Sequence, residues 1–425
     1  MQSAKPRFFR QPMRVPCEYP CVTRLAARLR PVPLLHAGFV LTGVFTILLG
    51  PILPILAAHW SLSDSQAADF FVAQFIGTFG GVALSSVLIP RRGFRSSFVL
   101  GFFLMAIGAA TLGRGSWIAA LFSVFFYGTG TGFLTAATNL WIGEANPEEK
   151  SGALSLINFS WTVGAVACPF LIEFFRGARF MQFLTVLAIV SAAFVLAFAT
   201  IPLGEAGSPR VHSSRKVFGS TTVALDRVAI SFGLLFFLYV GTENALGGWL
   251  ATYSRRVLAV ADTLWIVTPS FFWAGLLAGR AFAPVALKRF SERAIVQTGT
   301  LFGIAGTAIL IYATTLHGIF AGAFTSGLGC AAIFPVLMAW LIAHYEFEAR
   351  LVAGRMLALA ELGAAAVPWL VGYLSVVSGT LQRGLPILFA TFLGVFALAA
   401  ISPALRRSAQ DMRGRQDAGR NSTGD

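Results

Sequence analysis

The feature that most constrains this chain is the return of long apolar segments at near-regular intervals along its whole length. Twelve run at roughly 33–58, 67–90, 96–113, 117–143, 151–175, 180–203, 228–252, 261–286, 294–313, 316–343, 350–375 and 383–403. About 20 mostly apolar residues in a helix cross a bilayer core of about 30 Å. That core offers the backbone no hydrogen-bond partner, so each spanning segment must satisfy its own groups, as an α-helix does. A barrel needs segments of about ten residues alternating apolar and polar, and the sequence contains none. Charge agrees: 12% of residues are Asp, Glu, Lys or Arg, against about 25% in soluble domains. There is too little charge to cover a water-facing surface. The expected fold is an all-α membrane protein of twelve transmembrane helices, the first of them too long for a cleavable signal segment.

The net charge of +14 invites a nucleic-acid reading, which its distribution removes. With the N-terminus placed in the cytoplasm, the inward-facing segments hold 25 of the 32 Lys and Arg. This asymmetry is the positive-inside signal. It predicts an inner (plasma) membrane protein with both termini cytoplasmic and no nucleic-acid partner. The four cysteines, Cys17, Cys21, Cys168 and Cys330, form neither a disulfide framework nor a zinc spacing. No phosphate loop, metal cluster or nucleophile–base pairing is visible, so no cofactor, metal or enzyme activity is expected, and energy must come from a gradient.

An internal repeat divides the spans into two sets of six. At an offset of 198, Gly43, Gly50, Gly77, Gly81 and Arg95 meet Gly241, Gly248, Gly275, Gly279 and Arg293; at 199, Gly128, Gly130, Trp141, Gly164 and Pro169 meet Gly327, Gly329, Trp340, Gly363 and Pro368. The predicted organisation is a tail at 1–32, a six-helix bundle at 33–203, a linker at 204–227, a second bundle at 228–403 and a tail at 404–425. Two pseudo-symmetric six-helix bundles suit a carrier in which one rocks against the other around a midplane site. Gly77 with Gly81, and Gly275 with Gly279, place small residues on one helix face, and are expected to let the halves approach and slide.

Particular stretches then carry a resemblance. Pro90-Arg91-Arg92-Gly93-Phe94-Arg95 looks like a degenerate basic loop motif of the major facilitator superfamily. Gln74-Phe75-x-Gly77, Gly241-Thr242-Glu243-Asn244 with Trp249, Ser270-Phe271-Phe272-Trp273-x-Gly275 continuing to Gly279-Arg280, and Ile333-Phe334-Pro335 resemble the fucose/glucose:proton symporter branch, especially bacterial glucose/mannose permeases. The resemblance implies a secondary active importer of a monosaccharide, driven by a proton or sodium ion. Thr135 stands where relatives often carry a carboxylate in span four, and Gly50 where fucose-type carriers have an aspartate in span one. A partial exporter motif, Gly164-Ala-Val-Ala-Cys168-Pro169, keeps an alternative open, a drug or metabolite exporter of the same superfamily.

Ionisable groups deep in lipid cost about 2.5–3.5 kcal/mol each on insertion scales, so those present are functional candidates. Glu243 and Glu361 are the candidates for proton coupling, because a carboxyl shielded from water can exchange a proton in the neutral range. Arg280, together with Arg91, Arg92 and Arg95, is the candidate for gating. A sugar needs amide partners for its hydroxyls and a flat aromatic face for its C–H side. Gln74, Asn139, Asn158, Trp161, Glu243, Asn244 and Trp273 are the expected substrate contacts, with Gln74, Asn139, Glu243 and Trp273 as their core cluster. Asp69 reads as a solvated group at the outer end of span two.

Overall fold

The computed structural model describes residues 31–146, 150–201, 203, 227–258, 263–345 and 349–401. The tails, the linker apart from Arg227, and Cys17 with Cys21 lie outside them. Among the described residues the regular structure is helical, and eleven helices are long and apolar enough to cross a membrane. One of these, Asp64–Thr111, is 48 residues long and is interrupted by non-helical Gly93 (φ 76°). It is two spans joined by a turn, which brings the count to the twelve expected.

In chain order the helices are α1 Val32–Trp60, α2 64–92, α3 94–111, α4 Trp117–Ala145, α5 Lys150–Phe174 and α6 Phe180–Thr200. Then follow α7 Arg227–Leu258, α8 Thr268–Arg289, α9 Glu292–Tyr312, α10 Leu316–Tyr345, α11 Ala349–Ser378 and α12 Leu381–Ala400. Their starts are set by local chemistry. Ser63 and Gln66 form a reciprocal capping box, and Ser116, Ser291 and Thr315 each accept a backbone N–H of the first turn, satisfying donors that the helix itself cannot. Helix α10 is broken at Ala331–Ala332 into Leu316–Cys330 and Ile333–Tyr345. Pro335 has no N–H to give the Ala331 carbonyl four residues back, which weakens the helix at this point.

The repeat seen in the sequence is matched by equivalent packing. A β-carbon on Gly43 would lie 2.0 Å from the Trp161 carbonyl oxygen, and one on its counterpart Gly241 2.7 Å from that of Gly363. These seat α1 on α5 and α7 on α11. Gly77 meets Phe125 as Gly275 meets Phe324, at 2.4 and 2.2 Å, seating α2 on α4 and α8 on α10. Arg95 donates to the Ile201 carbonyl (3.0 Å) at the end of α6, and Arg293 to the Ala400 carbonyl (2.5 Å) at the end of α12. The expectation that the paired glycines let the halves slide is therefore corrected. Gly77, Gly81, Gly275 and Gly279 lock helix pairs inside each half, because only a hydrogen allows backbones this close.

The two halves touch through α1 on α7, α2 on α11 and α5 on α8. Here other glycines serve the boundary: Gly50 faces Gly247 and Gly248, and Gly372 faces Asp64 and Ala68. Gly164→Val tests the packing within a half, since its β-carbon would fall 2.0 Å from the Val40 carbonyl oxygen. Overpacking a tight site costs about 1–3 kcal/mol and sometimes more, and a backbone clash offers little relief. The expected result is a large drop in melting temperature of the detergent-purified protein. Gly80→Ala, with open space at its β-carbon, should leave it nearly unchanged.

Candidate functional site

A small, partly open cavity lies between the halves at mid-span, lined by Thr46 and Gly50 of α1, Phe71 and Gln74 of α2, Asn244, Gly247 and Gly248 of α7, and Trp273 of α8. Gln74 is 2% exposed and is held on both sides of its amide: its Nε2 donates to the Thr46 carbonyl (2.8 Å), and Tyr127 Oη donates to its Oε1 (3.0 Å). Asn244 Nδ2 donates to the Val240 carbonyl at 2.9 Å, and its amide oxygen accepts no bond among the described residues. The Trp273 ring is buried and its Nε1–H lacks a partner. Trp161 meets it edge-on at 5.8 Å between centroids, while its own Nε1 reaches Thr46 Oγ1 at 3.4 Å. Two indoles, two amides and a hydroxyl thus converge from both halves.

The chamber is shut at one end. Asp64, at the start of α2, accepts from both terminal nitrogens of Arg256 at the end of α7 (2.6 and 2.5 Å), and Ser375 of α11 donates to the same carboxylate. Beside this clasp, Arg255 donates to the Pro54 carbonyl (2.8 Å) and lies 5.3 Å over the Trp265 ring. Trp369 Nε1 donates to Asp69 Oδ1 at 3.2 Å, so Asp69 is an inter-half acceptor and not simply solvated as expected. Phe71 packs on Gly248 and stands 5.8 Å from the Trp249 ring. At mid-span Ser270 donates to the Val166 carbonyl (2.9 Å). Hydrogen bonds thus join the halves at this end and at mid-span.

The expected contacts are only partly brought together. Gln74, Asn244 and Trp273 line the cavity, and Trp161 adjoins it through its contacts with Trp273 and Thr46. Asn139 does not; its amide donates to the Thr135 carbonyl (2.9 Å), and its oxygen accepts from Asn158 (3.0 Å). That pair lies on α4 and α5 toward the 145–150 loop, and Asn158 is exposed. Glu243 is also separate from the cavity. Successive helical residues project about 100° apart, so with Asn244 at the chamber Glu243 turns into its own half, among α7, α8 and α10. There Tyr239 Oη bonds its carboxyl and also the Cys330 carbonyl oxygen at 2.8 Å, and the charge of Arg280 acts on all three.

The gating expectations change as well. Arg280 sits beside Glu243 inside the second half, with its Nε buried and unpaired, and not at the boundary. Arg95 binds within the first half, while Arg91 and Arg92 are exposed without a described bond across the boundary. Glu361 lies seven and eleven residues before Pro368 and Gly372 on α11, close to two and three whole turns, which puts the three on one face. Gly372 touches α2, so Glu361 is turned toward the first half, half-buried and without a described hydrogen bond or ion pair.

The sequence reading missed Asp64, Arg256, Ser375, Tyr127 and Tyr239. One signal was available for the clasp. Arg255-Arg256 is a basic pair on the loop side that the charge asymmetry otherwise leaves poor in Lys and Arg, which sets it apart from an orientation signal.

Two related helical bundles, closed on each other at one end over a mid-span cavity, define the class of alternating-access secondary carriers. Residues 35–318 match the Major Facilitator Superfamily, and the chain belongs to that family of transporters. The glucose/mannose transporter GlcP of Bacillus subtilis is 24% identical over 354 residues, 80% of this chain and 86% of that protein. Sodium-dependent glucose transporter 1 of Xenopus laevis is 23% identical over 385 residues, 83% of this chain and 77% of that protein. Among solved structures, the E. coli fucose:proton symporter FucP superposes with a TM-score of 0.59 at 18% identity, over 88% of this chain and 98% of that one.

Proposed function

We propose that this protein imports a monosaccharide of the glucose or mannose type by symport with a proton, using alternating access across the inner membrane. The observation that carries the reading is the cavity itself. Asn244 and Gln74 offer amide groups, and Trp161 and Trp273 offer aromatic faces. Trp273 also holds a buried N–H without a partner, a state that costs about 1–3 kcal/mol until an acceptor arrives. A sugar hydroxyl is such an acceptor. The similarity to GlcP, to a sodium-dependent glucose transporter and to a fucose:proton symporter supports the same substrate class. The charge asymmetry supports cytoplasmic termini, which makes the clasped end the outer one and the state described here inward-facing.

In this reading Gln74, Asn244, Trp161 and Trp273 bind the sugar, and Asn139 and Asn158 line its exit toward the cytoplasm. Glu243 carries the coupling proton. Glu361, with no hydrogen bond or ion pair among the described residues, is the second candidate for that role.

The test is uptake of labelled glucose, mannose, galactose and fucose by cells lacking their own carriers. A protonophore and sodium-free medium form the two further arms. Accumulation of glucose or mannose that collapses with the protonophore and persists without sodium is the expected result. Loss on sodium removal alone would assign the other cation. Failure with every sugar would overturn the substrate class.

A further inference from the structure

Resting for its use on the symport reading, but not for its chemistry, we infer that Glu243 carries a proton in the state described here. We infer further that Tyr239 links that proton to the break in α10. A phenolic hydroxyl has one hydrogen to donate, yet Tyr239 Oη makes hydrogen-bond contact with two oxygens, the Glu243 carboxyl and the Cys330 carbonyl. A carbonyl can only accept, so the bond at 2.8 Å to Cys330 uses the tyrosine's hydrogen. The contact with Glu243 is then a hydrogen bond only when the carboxyl is the donor, which requires its protonated form.

Ionisation reverses the arrangement. A carboxylate accepts and cannot donate, so once Glu243, which is part-exposed, gives its proton to water it claims the Tyr239 hydrogen, and the Cys330 carbonyl loses its donor. The groups facing Glu243 are consistent with both forms. From α8, Arg280 lies near enough for its charge to act on Glu243, Tyr239 and Cys330, but it makes no salt bridge among the described residues. It is a counter-charge held in reserve for the ionised form. From α10 comes the buried Cys330 thiol, and from α7 itself Tyr239.

The consequence falls on α10 because Cys330 ends its first segment, next to the break at Ala331–Ala332. Buried carbonyls are almost always paired, and Pro335 leaves the neighbouring Ala331 carbonyl without its helical donor, so the chain is weakly held at this point. Withdrawing the tyrosine therefore favours a different geometry at the break, and the protonation of one carboxyl becomes a bend in a helix of the second half. Tyr239 is a positioning residue in this scheme.

The test uses the full chain in liposomes. Infrared difference spectra between acid and alkaline buffer should show a carboxylic acid band that is present at neutral pH. That band should be lost in Glu243→Gln and shifted in Tyr239→Phe. In parallel, spin labels at Ile118→Cys and Tyr312→Cys, exposed at the clasped end of the two halves, report the inward-to-outward ratio in a background without Cys17 and Cys21. The ratio in the otherwise wild-type chain should move with pH, and Tyr239→Phe should lose at least nine-tenths of that movement, about a tenfold loss of response. Glu243→Gln, whose amide can donate to Tyr239 as a protonated carboxyl does, should show the acid-like ratio at every pH. Absence of a Glu243 band at neutral pH overturns the proposal, as does a full pH response in Tyr239→Phe. Should Tyr239→Phe not fold, the wild-type and Glu243→Gln comparison still decides where the proton sits. If these expectations hold while sugar uptake ignores the protonophore, the symport reading fails and the switch stands.

Discussion

Asp64→Asn is expected to move the carrier about tenfold toward the state in which the clasped end is open, by the following energetics. Asp64 hydrogen-bonds α2 to both α7 and α11, through Arg256 and Ser375. Removing one partner of a fully buried ion pair costs about 3–5 kcal/mol. Here the side chains are 45% and 9% exposed for Arg256 and Asp64, so water compensates the freed guanidinium, and about 1–2 kcal/mol is the better expectation. A difference of about 1.4 kcal/mol is tenfold in an equilibrium. The clasp bridges the two halves, so opening this end must break it, and its loss should fall on the balance between states and leave the fold of each half intact. The spin-label distance between positions 118 and 312 reads this directly, with melting temperature as the control. Arg256→Gln should shift the distance the same way. An unchanged distribution in both variants would show that Phe71, Gly248 and Gly372 hold this end shut by packing alone.

Glu243→Gln should abolish uphill accumulation while exchange of labelled for unlabelled sugar continues. A proton moving through 100 mV supplies about 2.3 kcal/mol, which supports about a fortyfold gradient of a symported sugar. An amide neither gains nor loses that proton, so the accumulation ratio should fall to unity. Exchange needs only the cavity, and Glu243 lies outside it: Asn244 lines the chamber, while Glu243 faces Tyr239 and Cys330. The distinction between the two measurements carries the assignment. A variant that lost binding and accumulation together would point to a structural role, and one that still accumulated sugar would transfer the coupling role to Glu361.

Much of the fold was legible in the sequence, and the reason is visible in particular elements. The span at 67–90 and the one at 96–113 were separable although their helices are continuous but for Gly93, because Pro90, Arg91, Arg92 and Arg95 interrupt the apolar run. The repeat was legible because equivalent close approaches demand the same residue. Gly43 and Gly241, and Gly77 and Gly275, each meet a backbone oxygen at a distance that leaves no room for a β-carbon. The candidate site was legible in composition but not in grouping. Gln74 and Trp273 were expected beside Asn139 and Glu243, and the structure joins the first two to Asn244 and Trp161 instead. A residue's type says that it can bind a hydroxyl; the rotation of its helix decides what it faces.

What the sequence by itself determined is the part governed by lipid and by the local backbone. Helical spans follow from hydrogen bonds that close within four residues, and the charge bias and the steric limit at each glycine are likewise properties of short windows. Only the tertiary structure decided the clasp of Asp64 on Arg256 and Ser375 and the placing of Tyr239 between Glu243 and Cys330. The clasp and the Tyr239–Cys330 contact join separate helices, with 192 and 311 residues between the clasp partners and 91 between Tyr239 and Cys330. Such pairings depend on how whole helices rotate and pack, and no stretch of sequence around either residue records its partner.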